Sequence, residues 1–288
     1  VERRSSTPRE PLTQDEARQL RAIATRIREK ILHVVHDSGS GHVGAALSQA
    51  DVLVALYYRY LRVDPACPDW PERDRFVLSK GHGGLGLAPI LADCGFVKEA
   101  ELASFGKTGA ALGMHMDHRK VPGVEVSTGS LGHGLGVALG MALGARVQGL
   151  PSRTWCLLSD GECYEGSTWE AAVAAPALEA GRLTAIVDRN RLTMDGFTET
   201  EVPLEPLAKK WEAFGWRVAS CDGHDFAAIA AALDAIVATE SDRPAVLIAE
   251  TIKGKGVDFM ENQPRWHYGA LDSEMFALAL KSVQRAHG

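Results

Sequence analysis

Between residues 154 and 250 the apolar pattern switches repeatedly between two periods, and that alternation constrains the fold more than any other feature. Short aliphatic runs at 154–158, 183–188, 216–221 and 245–250 read as strands. The stretches between them, at 168–181, 207–215 and 225–239, carry apolar residues at helical spacing. Strands joined through a helix by short connections cross over and lie parallel. A parallel sheet is apolar throughout and needs cover on both sides. An earlier strand, Phe76-Val77-Leu78, runs into the loop SKGHGG. The expected fold class is therefore α/β, an open, mainly parallel sheet with helices on both faces.

Upstream, Thr13-Gln14-Asp15-Glu16 has the form of a capping box. Leu20, Ile23, Ile27, Ile31 and Val34 continue a helix until Gly39 and Gly41 stop it. A second helix is predicted over 48–62, residues 99–126 read as irregular, and 131–149 forms a helix of small apolar residues expected to be buried nearly all round. Residues 1–14 read as a loose arm and 15–288 as one domain, with no internal repeat or low-complexity linker. A net charge of -6 with no basic run gives no reason to expect nucleic acid or an anionic membrane surface as a partner. No segment reaches the roughly 18 continuous apolar residues of a membrane helix. Five cysteines without a C-x-x-C pair fit a reduced, cytoplasmic setting.

In sheets of this kind ligands bind beyond the carboxyl ends of the strands. Two consecutive strands here end in oxygen donors, Asp160-Gly161 within LLSDGECYEG and Asn190 within DRNRLT. One carboxylate and one amide oxygen on neighbouring strand tips suit Mg²⁺, which takes few protein oxygens and leaves the rest to water and phosphate. Gly161 would let a phosphate approach the backbone. The plainer reading of the same residues is a turn at Asp160-Gly161, a loop closed by Asp188 and a surface Asn190. The Gly-x-Gly-x-x-Gly at 39–44 follows a helix, not a strand, and so is no dinucleotide fingerprint. His33 and His36 fit a partly exposed helix face, and His118, His224 and His287 receive no role.

The Asp160-Gly161…Asn190 pair resembles the metal motif of thiamine diphosphate enzymes. From about Asp15 to His267 the chain resembles the amino-terminal half of transketolase. The resemblance is carried by SGSGHVG (38–44), DRFVLSKGHG (74–83), PGVEVSTGSLGHGLG (122–136), SDGECYEGSTWEAA (159–172), VDRNRLTMDG (187–196), FGWRVASCDGHD (214–225) and TIKGKGVDFMENQPRWH (251–267). It implies a thiamine diphosphate-binding fold that holds the diphosphate end of the cofactor. Mg²⁺ ligands would be Asp160, Asn190 and the carbonyl of Leu192. His82, Gly129, Leu131, Gly132, Asp160, Gly161, Glu162, Asn190 and His267 would lie at the cofactor.

By the same resemblance, His42, His82, His115 and His267 would line the sugar channel and act on the substrate, histidine being poised near neutral pH for proton transfer. Glu165 and Glu170 would stand at a subunit interface that links two active sites. The implied activity is transfer of a two-carbon ketol unit between sugar-type substrates. It would require a separately encoded carboxy-terminal transketolase subunit that binds the pyrimidine ring, in a two-fold heterotetramer. Ser159, Val43, Met114, Met116 and His133 depart from the usual pattern, and the methionines imply a greasier surrounding for His115. The alternatives are a 2-oxo acid dehydrogenase or synthase component that delivers a two-carbon unit to a carrier thiol, and a non-catalytic cofactor-binding module.

Overall fold

Five strands form the sheet: β1 (Arg75–Leu78), β2 (Thr154–Ser159), β3 (Leu183–Arg189), β4 (Arg217–Asp222) and β5 (Ala245–Glu250). They pair in the order β1-β2-β3-β5-β4, and every pair is parallel. The computed structural model describes residues 10–285; most of the expected arm and His287 lie outside them.

Alternate residues of each strand enter different cores. Phe76, Leu78, Trp155, Leu157, Ile186 and Leu247 pack to one side. Val77, Cys156, Leu158, Ala185, Val187 and Ile248 pack to the other. Each fully buried aliphatic or aromatic side chain contributes about 1.5–3 kcal/mol, so both faces of the sheet are driven under cover. The first core is closed by α1 (Gln14–Ser38), α2 (Val43–Ser48), α3 (Ala50–Ala55) and α4 (Gly84–Cys94). The second is closed by α5 (Gly134–Val147), α6 (Gly166–Ala177) and α7 (Leu207–Ala213). Later helices α8 (Phe226–Ala238) and α9 (Ser273–Arg285) return to the first side.

Local chemistry sets the ends of α1. The Thr13 hydroxyl accepts from the amide of Glu16 at 3.1 Å, and Gly39 stops the helix at φ 76°. Two expected helices differ. The one predicted over 48–62 starts at Val43, breaks at Gln49 and ends in a π-helical turn, Leu56–Tyr60. The break falls where two buried polar side chains are drawn away: Ser48 donates to Asp188 at 2.6 Å and Gln49 to the carbonyl of Gly83 at 2.7 Å. Helix α5 was expected to be buried nearly all round, yet only Leu135, Ala138, Leu139, Ala142 and Ala145 fill the core, while Gly136, Val137 and Gly140 face outward. Within one chain, that small-residue face is left open. Among the described residues, no helix is long and apolar enough to cross a membrane.

Candidate active site

The carboxyl ends of β1, β2, β3 and β5 open onto one cavity of about 560 Å³. Past β1 the chain supplies Lys80 and His82, past β2 Asp160 and Gly161, past β3 Asn190, Leu192 and Thr193, and past β5 Lys253. His42 enters from the start of α2, and His267 from the turn Pro264–His267. His115, Gly129 and Leu131 come from the segment between α4 and α5. Close backbone contact shapes this wall. A Cβ on Gly81 would lie 2.6 Å from the Thr128 carbonyl, and one on Gly129, whose φ is 153°, would lie 2.8 Å from His115.

Beneath the cavity Asp188 is fully buried and spent on structure. It takes the Lys80 ammonium and the hydroxyls of Ser48 and Thr251. Burial would raise its pKa, but the Lys80 charge and these hydrogen bonds outweigh that and hold it low. Asp160 is the opposite case. Burial and the neighbouring Asp188 charge push its pKa up in spite of Arg189, so its ionised form gains from an added cation.

The oxygens around Asp160 leave room for such a cation. Asp160 accepts from Gly161 N at 2.8 Å, Arg191 N at 2.6 Å and Arg189 Nη1 at 3.1 Å. A carboxylate offers about four lone-pair directions, so one stays open. Among the described residues, the Asn190 side-chain oxygen accepts only from Leu192 N at 3.1 Å, and the Leu192 carbonyl from Lys253 Nζ at 3.1 Å. Asp160 and Asn190 sit just past adjacent strands, with Ser159 opposite Asp188 in the ladder. One carboxylate, one amide oxygen and one carbonyl form a hard-cation set that fits Mg²⁺.

The imidazoles cluster against this floor. The His42 ring centroid lies 5.1 Å from His82, 5.4 Å from His267 and 6.4 Å from His115. His82 stacks on His267 at 5.6 Å. Burial first, then the charges around it, lowers His42 to about 4, His82 to about 2 and His267 to about 3. For His82 the principal charge is Lys80; for His267 it is Lys253, whose ammonium donates to His267 Nδ1 at 2.9 Å. Burial also brings Lys253 down to about 8. The site thus presents uncharged imidazoles beside an ammonium. Such a surface can hold hydroxyls at the rings, while the lysine, its three donors already given to the protein, offers an anion its charge.

Comparison with known proteins decides the family. Residues 19–284 match the transketolase, thiamine diphosphate binding domain family. The chain belongs to that family.

Two relatives are similar over nearly their whole length. A 6-deoxy-6-sulfo-D-fructose transketolase subunit of Clostridium sp. (strain MSTE9) is 41% identical over 91% of this chain and 95% of its own. An apulose-4-phosphate transketolase subunit of Actinobacillus succinogenes is 40% identical over 92% of this chain and 96% of its own. The crystal structure of Campylobacter jejuni transketolase superposes with a TM-score of 0.87 at 29% identity, covering 92% of this chain. The chain spans only 43% of that full-length protein.

Against the residues implied by the transketolase resemblance, the structure brings His42, His82, His115, His267, Gly129, Leu131, Asp160, Gly161, Glu165, Asn190 and Leu192 to the cavity wall. It places three others elsewhere. Glu162 is fully buried and faces inward, accepting from the Ser79 hydroxyl, from Gly132 N at 2.8 Å and from Ser159 N at 3.3 Å. It braces the 131–132 turn and does not line the cavity. The amide of Gly132 is consumed by that contact, and a Cβ there would lie 2.4 Å from Ser167 Oγ and 2.6 Å from Glu165 Cβ. Glu170 is exposed on α6, away from the cavity.

The expected greasy surrounding of His115 is also corrected. Met116 is buried in the first core with Met114 against it, and neither lines the cavity. The residues missed in the sequence are Lys80 and Lys253. Their signal was position, since each follows a strand end inside a glycine-rich motif, as Asp160 does.

Proposed function

We propose that this chain is the diphosphate-binding subunit of a two-chain transketolase that moves a two-carbon ketol unit between sugar-type substrates, using thiamine diphosphate and Mg²⁺. The observation that carries the reading is the meeting, in one cavity, of four histidines and Lys253 with the oxygen set of Asp160, Asn190 and Leu192. In this reading Asp160, Asn190 and the Leu192 carbonyl hold the Mg²⁺, and Lys253 offsets the diphosphate charge. Thiamine diphosphate, when bound, supplies the carbanion chemistry that exchanges a carbon–carbon bond beside a carbonyl. The chain's own part is to orient and to handle protons. His42, His82, His115 and His267 hold substrate hydroxyls and pass protons at the oxygens beside the bond that changes. Depressed pKa values keep the three deeper rings neutral, each with a lone pair that can accept a hydrogen bond from a hydroxyl.

The named relatives of nearly equal length are themselves subunits of transketolases, and they support a partner chain that completes the site. We take the assembly to be a two-fold heterotetramer, with residues 15–288 as one domain. Glu165, at the cavity edge, and the exposed Glu170 would face the neighbouring protomer. Five free thiols suit a reducing cytoplasm. A pyruvate-decarboxylating component would need no four-histidine channel, so donor assays with a ketose and with pyruvate separate the two activities.

The decisive experiment is calorimetric titration of thiamine diphosphate and Mg²⁺ into the chain paired with its partner subunit. Replacing Asp160 by alanine (Asp160→Ala) should weaken binding about 100-fold or more, since losing a ligand costs no less than the roughly 10–100-fold of losing a residue that supports one. Equal affinity in parent and variant would end the metal assignment.

A further inference from the structure

His224 has no role in the reading above, yet the structure places it between two distant elements, with 11% of its side chain exposed. It stands in the turn between β4 and α8. There Gly223 lets the chain close on the end of β5, since a Cβ at that position would lie 2.5 Å from Thr251. The His224 Nε2 accepts the backbone N–H of Ile252 at 2.8 Å, and Nδ1 lies 2.7 Å from Asp51 Oδ2 on α3. An amide nitrogen can only donate, so Nε2 presents its lone pair and the ring proton sits on Nδ1, pointing at Asp51.

Asp51 is buried and held in turn by Arg28, which donates from Nη1 to Oδ1 at 2.9 Å and from Nη2 to Oδ2 at 2.6 Å. Arg28, 1% exposed, also donates from Nε to the carbonyl of Lys255 at 3.2 Å. The buried series Arg28–Asp51–His224 therefore grips the loop after β5 at Ile252 N and at Lys255 O, on either side of Lys253. On the cavity side the Lys253 ammonium donates to Leu192 O at 3.1 Å, Thr193 O at 2.8 Å and His267 Nδ1 at 2.9 Å. Its stem packs against Gly44, where a Cβ would come within 3.0 Å of Lys253 Cγ.

We propose that His224 is a positioning residue: locked into one tautomer by Asp51, it fixes the amide of Ile252 and so sets where the Lys253 ammonium meets Leu192, Thr193 and His267. The functional consequence rests on reading the cavity as a diphosphate site; the positioning itself does not.

Two variants separate this role from simple space-filling. In His224→Gln the side-chain oxygen reaches the place of Nε2, so the acceptor for Ile252 is kept and the contact with Asp51 is lost. In His224→Asn the amide nitrogen takes the place of Nδ1, so Asp51 keeps its donor while Ile252 N–H is left without an acceptor. Amide exchange at Ile252 and thiamine diphosphate affinity in the presence of Mg²⁺ are measured on the chain with its partner subunit. His224→Asn should speed exchange at Ile252 and weaken affinity about tenfold, the lower range for losing a group that orients a ligand-holding residue. His224→Gln should stay close to the parent on both measures. Equal effects in the two variants, or none in His224→Asn, overturn the proposal.

If the parent fails to bind thiamine diphosphate while exchange still distinguishes the variants, the cofactor reading falls and the positioning role stands. Imidazole ¹⁵N shifts of the parent give a check independent of any variant's folding. A proton on Nδ1 supports the proposal, and a proton on Nε2 refutes it.

Discussion

Replacing His82 with glutamine measures directly whether the site holds its imidazoles uncharged. Burial, followed by the Lys80 charge, lowers His82 to about 2, while an unfolded chain keeps a histidine near about 6.5. For a base whose folded pKa lies below its unfolded one, the unfolded state takes up the proton first on acidification. Stability is then full above about pH 6.5 and is lost as pH falls from there toward the folded value.

In that window one such ring contributes a slope of about 1.4 kcal/mol per pH unit. Allowing for the gentle start of the titration, His82 accounts for about 1 kcal/mol between about pH 7 and about pH 5.5. The figure barely depends on how low the folded value lies, because over this range only the unfolded chain titrates. Urea unfolding followed by fluorescence reads it well, since Trp155, Trp211 and Trp216 are fully buried. The parent should lose about 1 kcal/mol more than His82→Gln on acidification. Identical pH dependence in the two proteins would show that His82 titrates near its ordinary value, and the argument from burial and the Lys80 field would fail.

Lys253→Met removes the charge that, after burial, most depresses His267, so His267 should rise toward its ordinary value in an NMR titration. Thiamine diphosphate affinity should also fall and become less sensitive to salt, which calorimetry at two ionic strengths would record. Two glycine substitutions should act in opposite directions in thermal melts of the chain alone. Gly81→Ala drives a Cβ to 2.6 Å from the Thr128 backbone and should cost about 1–3 kcal/mol. Gly140→Ala, mid-helix with nothing within 4 Å of the new carbon, should gain about 0.5–1 kcal/mol.

Much of the fold was legible because period reports burial. The runs at 154–158, 183–188 and 245–250 are apolar at nearly every position, and both faces of the sheet are covered there. For one helix the pattern predicts more cover than a single chain supplies. Helix α5 has the small apolar composition of a buried helix, but Gly136, Val137 and Gly140 face outward, and no local rule separates the two cases. The break at Gln49 was equally hidden, since it depends on Gly83 and Asp188, which are distant in the sequence.

The site divides in the same way. Residue order alone put Asp160 and Asn190 on consecutive strand tips and gathered the histidine motifs, because a parallel sheet delivers every strand end to one edge. Only the folded chain decided which carboxylate stays available. Asp188 is committed to Lys80, whereas Asp160 keeps an open lone pair; Glu162 turns inward to brace Gly132. The charge state of His42, His82 and His267 and the tautomer of His224 were also settled in three dimensions. Both depend on desolvation and on neighbours brought in from other elements, and those quantities have no value until the chain has closed around them.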